Sequence, residues 1–66
     1  MEPFEIILSG ESYTIQPLIS DNFEVYRFKK LIGFLTPTAD PGGTLWSSRE
    51  IEQFLAEAIG RQIEAH

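Results

Sequence analysis

Apolar and polar residues alternate along the first half of this chain and recur at helical spacing along its last third. Phe4, Ile6 and Leu8 interleave with Glu5, Ile7 and Ser9, the period of two expected of a strand with one apolar face. Ser9-Gly10-Glu11-Ser12 follows, and a glycine first in a two-residue loop suits a type II′ hairpin turn. A Gly10-Glu11 loop sets Leu8 opposite Tyr13, Ile6 opposite Ile15 and Phe4 opposite Pro17, so one register gathers all six apolar groups. Ser20-Asp21-Asn22 is the next turn, rich in side chains that hydrogen-bond their own backbone. Phe23, Val25 and Arg27 then continue the apolar face, with Glu24, Tyr26 and Phe28 opposite. A turn at Lys29-Lys30 brings Ile32 and Phe34 round to join Phe23 and Val25, and Gly33 marks a bulge or a close contact.

Thr36–Thr44 combines two prolines with two glycines and divides the alternating half from the helical one. Beyond it, Ser47 and Glu50 have the spacing of a capping box, and Trp46 and Ile51 that of a hydrophobic staple. Ile51, Phe54, Leu55, Ala58, Ile59 and Ile63 form an apolar stripe, and Glu57 and Arg61 are an i,i+4 ion pair in the favourable order. Gly60 either permits close approach to the sheet or weakens the last turn. The pattern predicts one α+β domain over residues 1–66, a four-stranded antiparallel β-meander with one C-terminal α-helix packed on one face. Strands fall over 3–9, 12–19, 23–28 and 31–36, a loop over 37–46 and the helix over 48–65, with Leu45-Trp46 a candidate short fifth strand.

Strand parity has a functional consequence. Ile7, Leu18, Tyr26, Phe28, Leu31 and Leu35 fall on the sheet face that one helix cannot cover. Contiguous apolar surface of that kind marks an interface. The apolar burial open to 66 residues roughly equals the cost of ordering them, so a second buried face is worth most to a domain of this size. A homodimer through the free sheet face is the leading expectation, and a non-enzymatic protein-interaction domain its functional class.

Composition narrows the rest. Hydrophobic content of 42% against 23% charged residues excludes a disordered tail, and the absence of cysteine excludes disulfides and thiolate metal sites. No apolar run is long enough to span a membrane, and Met-Glu-Pro-Phe-Glu lacks the basic segment of a signal peptide, so the cytoplasm is the expected compartment. Ten acidic against five basic residues give a net charge of −5, which disfavours nucleic acid as a partner. The one basic cluster, Arg27, Lys29 and Lys30, reads as a solvated strand edge or turn.

Catalytic candidates are few. His66 ends the sequence given, no internal histidine stands ready to activate a serine, and Glu50 and Glu57 belong to the solvent face of the helix. Asp21, Asn22 and Asp40 do not reproduce the spacing of a calcium loop. No catalytic residue, metal site or cofactor is expected. Gly42, Gly43, Ser47, Ser48 and Arg49 hold the parts of an anion site at a helix N-terminus, the basis of an alternative reading as a small-ligand-binding protein. They lack the lysine and spacing of a phosphate loop, and Glu50 would compete for the same N–H groups.

The series Phe4-x-Ile6, Gly10-x-x-Tyr13-x-Ile15-x-Pro17, Phe23-x-Val25-Tyr26, Ile32-Gly33-x-Leu35-x-Pro37 and Gly43-x-x-Trp46, with Ile59-Gly60, resembles a group of short uncharacterised bacterial proteins. The resemblance covers nearly the whole chain and implies no activity, cofactor or site residue.

Overall fold

Strands β1 (Phe4–Leu8), β2 (Glu11–Pro17), β3 (Phe23–Arg27), β4 (Lys30–Asp40) and β5 (Gly43–Ser47) precede a single helix, α1 (Gln53–Ala65). They are seen in a computed structural model that describes residues 2–66. The strands form one antiparallel sheet in sequence order, so the α+β meander holds and the fifth strand is a full member. Pairing, rather than turn composition, decides the 37–46 segment: β4 continues through Pro37 to Asp40, and β5 returns beside it from Gly43. Past Leu35, the last residue paired with β3, one side of β4 faces no strand, and such an edge tolerates a proline. Helix α1 touches β1, β4 and β5. Because β1 and β5 end the strand order, the sheet must curl around the helix to meet it from both sides.

Two hairpins, β1–β2 and β3–β4, differ in register from the sequence expectation. The first turns at Ser9-Gly10, with φ of 51° and 78°, and pairs Leu8 with Glu11, Ile6 with Tyr13 and Phe4 with Ile15. Positive φ at both loop residues is the type I′ geometry, whose twist matches that of the flanking strands. Ile6 therefore faces Tyr13 instead of Ile15, a slip of two that leaves every side chain on its expected face. The third and fourth strands turn at Phe28-Lys29, one residue before the expected Lys29-Lys30, again with positive φ at both positions.

A bulge follows the β3–β4 turn. Tyr26 pairs with Leu31 but Val25 with Gly33, so Ile32 is the extra residue. One inserted residue reverses parity along the rest of β4. Gly33 and Leu35 turn inward, and Phe34, expected in the core, turns out and is 38% exposed. The close contact anticipated at Gly33 is real: a Cβ there would lie 2.8 Å from Ile51 Cγ1.

The helix starts later than its capping-box signal. Ser47 still belongs to β5, paired with Thr36, and its hydroxyl donates to the Thr36 carbonyl at 3.4 Å. Ser48 Oγ instead accepts from Glu50 N (3.2 Å) and Ile51 N (3.0 Å), closing a turn that drops Ile51 into the core. Glu52 is the true N-cap, its carboxylate accepting from Phe54 N at 2.7 Å and Leu55 N at 3.1 Å. This later start rotates the buried stripe to Ala56, Ile59 and Gly60, with Leu55 and Ile63 beside them. Trp46 from β5 lies against Gly60, where a Cβ would overlap the indole, and its Nε1 donates to Glu64 Oε2 at 2.7 Å. Ile15, Val25 and Leu35 complete the fully buried centre. Among the described residues, no helix is long and apolar enough to cross a membrane.

Candidate interaction surface

The outer face of the sheet is less apolar than strand parity suggested, because the bulge and the turns redistribute its members. Leu35 leaves it for the core, fully buried, which corrects its place among the six interface residues. Tyr26 and Leu31 are direct cross-strand partners, with Thr14 on the other side of Tyr26. The next row is Gln16, Glu24 and Phe34. Tyr26 is half-buried, and its hydroxyl donates to Glu24 Oε1 at 3.0 Å, which holds the phenol above its ordinary pKa. Ile7, 67% exposed, lies on β1 opposite Ser12. Leu18 lies in the β2–β3 loop, its N–H donating to the Asn22 carbonyl at 2.9 Å. Phe28 sits at the hairpin end of the sheet. The structure joins Tyr26, Leu31 and the unforeseen Phe34 on neighbouring positions and separates the rest.

Phe28 has a local occupation. The Arg27 guanidinium lies 4.6 Å from the centroid of its ring and 5.2 Å from that of Tyr13, and it pairs with the Glu11 carboxylate. That hydrogen bond, reinforced by the opposite charge, holds Glu11 below the usual glutamate pKa and Arg27 above its own. The basic cluster is therefore partly neutralised from within.

Phe54 has no such partner. It is 81% exposed on the first turn of α1 and stands between two depressions. One, of about 300 Å³, lies toward the β1–β2 hairpin and includes Leu8, Tyr13 and Leu55. The other, of about 600 Å³, runs along the helix past Gln53, Glu57 and Arg61. Ala58, one turn beyond Phe54, belongs to both. Arg61 is held there by Glu57 (3.3 Å), as the i,i+4 spacing predicts, by Glu64 (3.1 Å) and by the Thr44 carbonyl (3.2 Å). Sequence reasoning missed Phe54 because it phased the helix from Ser47.

The five anion-site candidates do not converge. Gly42 N donates to Asp40 Oδ2 at 3.1 Å in the β4–β5 turn, while Ser47 ends β5, four residues and about 13 Å along the strand from Gly43. Ser47, Ser48 and Arg49 border a depression of about 390 Å³ with Phe34, Thr36 and Glu50. The helix N–H groups an anion would need are occupied by Glu52, and those of Glu50 and Ile51 by Ser48. Among the described residues, no three His, Cys, Asp or Glu side chains are grouped to hold a metal ion. His66 stacks on Phe4, with ring centroids 3.9 Å apart and planes 10° from parallel. No family model, curated protein or solved structure matches the chain.

Proposed function

We propose that this chain is a non-enzymatic protein-contact domain that works by self-association, and that the contact is made by the exposed side of α1 around Phe54. The observation that carries the reading is Phe54 itself, 81% exposed with a depression on either side. A phenylalanine there contributes little to its own fold, since its ring covers nothing the core requires, and contiguous exposed apolar surface is characteristic of interfaces. The accessible surface, 4590 Å², exceeds the roughly 4,200 Å² of a compact monomer of this mass, about the area of one or two aromatic rings. A second copy fits better than a basic partner, because the acidic groups that line the groove are already engaged, Glu57 by Arg61 and Glu52 by the N–H groups of Phe54 and Leu55.

Sedimentation equilibrium from micromolar to millimolar concentration tests this. The expected wild-type mass exceeds 7.5 kDa and rises with concentration, while Phe54→Gln returns it to 7.5 kDa with an unchanged far-ultraviolet circular dichroism spectrum. Tyr26→Glu, on the outer sheet face, should leave the mass unchanged. A wild-type mass of 7.5 kDa throughout overturns self-association, and dissociation by Tyr26→Glu but not Phe54→Gln moves the contact to the sheet.

A further inference from the structure

We infer that the β3–β4 hairpin is a two-position register switch, in which β4 slips by one residue past Tyr26 and Arg27 and exchanges Leu31 and Ile32 between the faces of the sheet. The observed hairpin carries two irregularities close together. Phe28 and Lys29 sit at φ of 54° and 64°, a region that residues with full side chains enter only at a cost. A little further on, Ile32 is the extra residue, between Leu31 opposite Tyr26 and Gly33 opposite Val25. One movement relieves both. A three-residue turn over Phe28-Lys29-Lys30 sets Leu31 opposite Arg27 and Ile32 opposite Tyr26, absorbs the extra residue and needs only its third residue, Lys30, left-handed.

The slip is local, because the rest of the ladder is common to both registers. Val25 stays opposite Gly33 and Phe23 opposite Leu35, so Leu35, β5 and α1 keep their places. Leu31, 42% exposed beside Tyr26, turns in as Ile32, packed against the core, turns out, and the two side chains are isomers. The observed register keeps the Arg27 guanidinium 4.6 Å from the centroid of the Phe28 ring, and a two-residue turn whose twist suits the strands. The slipped register holds one left-handed side chain fewer. Terms so evenly opposed place the slipped form at about 1–10% of molecules, exchanging in microseconds to milliseconds. On the outer face the neighbour of Tyr26 is Leu31 in one register and Ile32 in the other, so a contact made there biases the switch.

Nuclear magnetic resonance relaxation dispersion on the backbone amides tests this. Wild type should show exchange at residues 26–32 that persists on dilution, and none at 34–36; the persistence separates the slip from association at Phe54. Two substitutions at exposed positions pull the equilibrium in opposite directions. Lys30→Gly relieves the left-handed residue of the slipped turn and should raise the ratio of slipped to observed form about 5–30-fold. The Hα contact between Tyr26 and Leu31 then gives way to one between Tyr26 and Ile32. Lys29→Gly relieves a left-handed residue of the observed turn and should lower the ratio by the same factor, flattening the profiles. Flat profiles in wild type overturn the switch. So do profiles that run at one rate through residues 34–36, which report opening of the whole ladder. Lys29→Gly and Lys30→Gly variants that shift the profiles in the same direction overturn it as well.

Discussion

The β1–β2 and β3–β4 hairpins stand side by side at one end of the sheet, tied together by the Glu11–Arg27 ion pair. Each turns in two residues with positive φ at both, 51° and 78° at Ser9-Gly10, 54° and 64° at Phe28-Lys29. Glycine makes that conformation inexpensive at one of the two positions of the first, Gly10, leaving Ser9 alone with a side chain there. In the second, two residues with full side chains adopt it at about 1–2 kcal/mol each, and the Phe28 ring partly offsets this by covering the Arg27 guanidinium. The ladders diverge as well. The first is regular, whereas the second gains a residue at Ile32. A two-residue change in register conserves every face; a one-residue bulge reverses all that follows.

The largest expected effect comes from the residue whose side the bulge decides. Leu35→Ala should cost about 2–5 kcal/mol, as a fully buried leucine does, while Phe34→Ala next to it should cost under about 1 kcal/mol. An unbulged β4 would invert that order, and urea midpoints of the two variants decide between them. Gly33→Ala comes next. Its Cβ would stand 2.8 Å from Ile51 Cγ1 and 2.9 Å from Glu50 Cβ, overpacking that should cost about 1–3 kcal/mol by the same measurement. A change near zero would show that Ile51 can withdraw without loss.

The pair of hairpins also shows why some of the fold was legible in the sequence and some was not. Alternation from Phe4 to Val25 assigns faces correctly even though the expected first turn lies one residue late, because parity survives an even slip. Gly33 signals a bulge or a close contact in this stretch, and both occur, but it does not say that Ile32 is the extra residue or that parity reverses; only the pairing of Val25 with Gly33 reveals that, and it moves Leu35 to the other face from the one alternation predicts. The same limit governs the helix. Ser47 and Glu50 satisfy a capping pattern locally, but Ser47 is committed to its pairing with Thr36, and the helix waits for Glu52. That displacement moved Phe54 from expected core to surface, so the proposed contact became visible only in three dimensions.

Turn chemistry should separate the hairpins by sign. At Gly10 an added Cβ meets nothing within 4 Å, so Gly10→Ala registers about 1–2 kcal/mol of left-handed strain less about 0.5–1 kcal/mol of unfolded-state entropy, a net loss of about 0.5 kcal/mol. Lys29→Gly should do the reverse. It removes about 1–2 kcal/mol of left-handed strain and adds about 0.5–1 kcal/mol of unfolded-state entropy, leaving a gain of about 0.5 kcal/mol. Thermal midpoints that fall in both variants would mean that the second turn is not held in the conformation described.

The smallest effect belongs to the link between the two hairpins. Glu11 accepts from Arg27, and this hydrogen bond, with the attraction of the cation, lowers its pKa in the folded chain. A carboxylate depressed on folding releases its proton more readily in the native state than in the unfolded one. Its stabilising contribution is therefore complete above the unfolded value, about 4.3, and is lost as pH falls through the lower folded value. Wild-type urea midpoints should thus decline between pH 5 and pH 3 more steeply than those of Glu11→Gln, which keeps an acceptor for Arg27 but cannot titrate. Because the Glu11 carboxylate is solvent-exposed, added salt should narrow the difference. Parallel pH profiles for the two proteins would show that the hairpins are joined by their shared β2–β3 ladder alone, and that the Arg27 guanidinium is held by the rings of Tyr13 and Phe28 without help from Glu11.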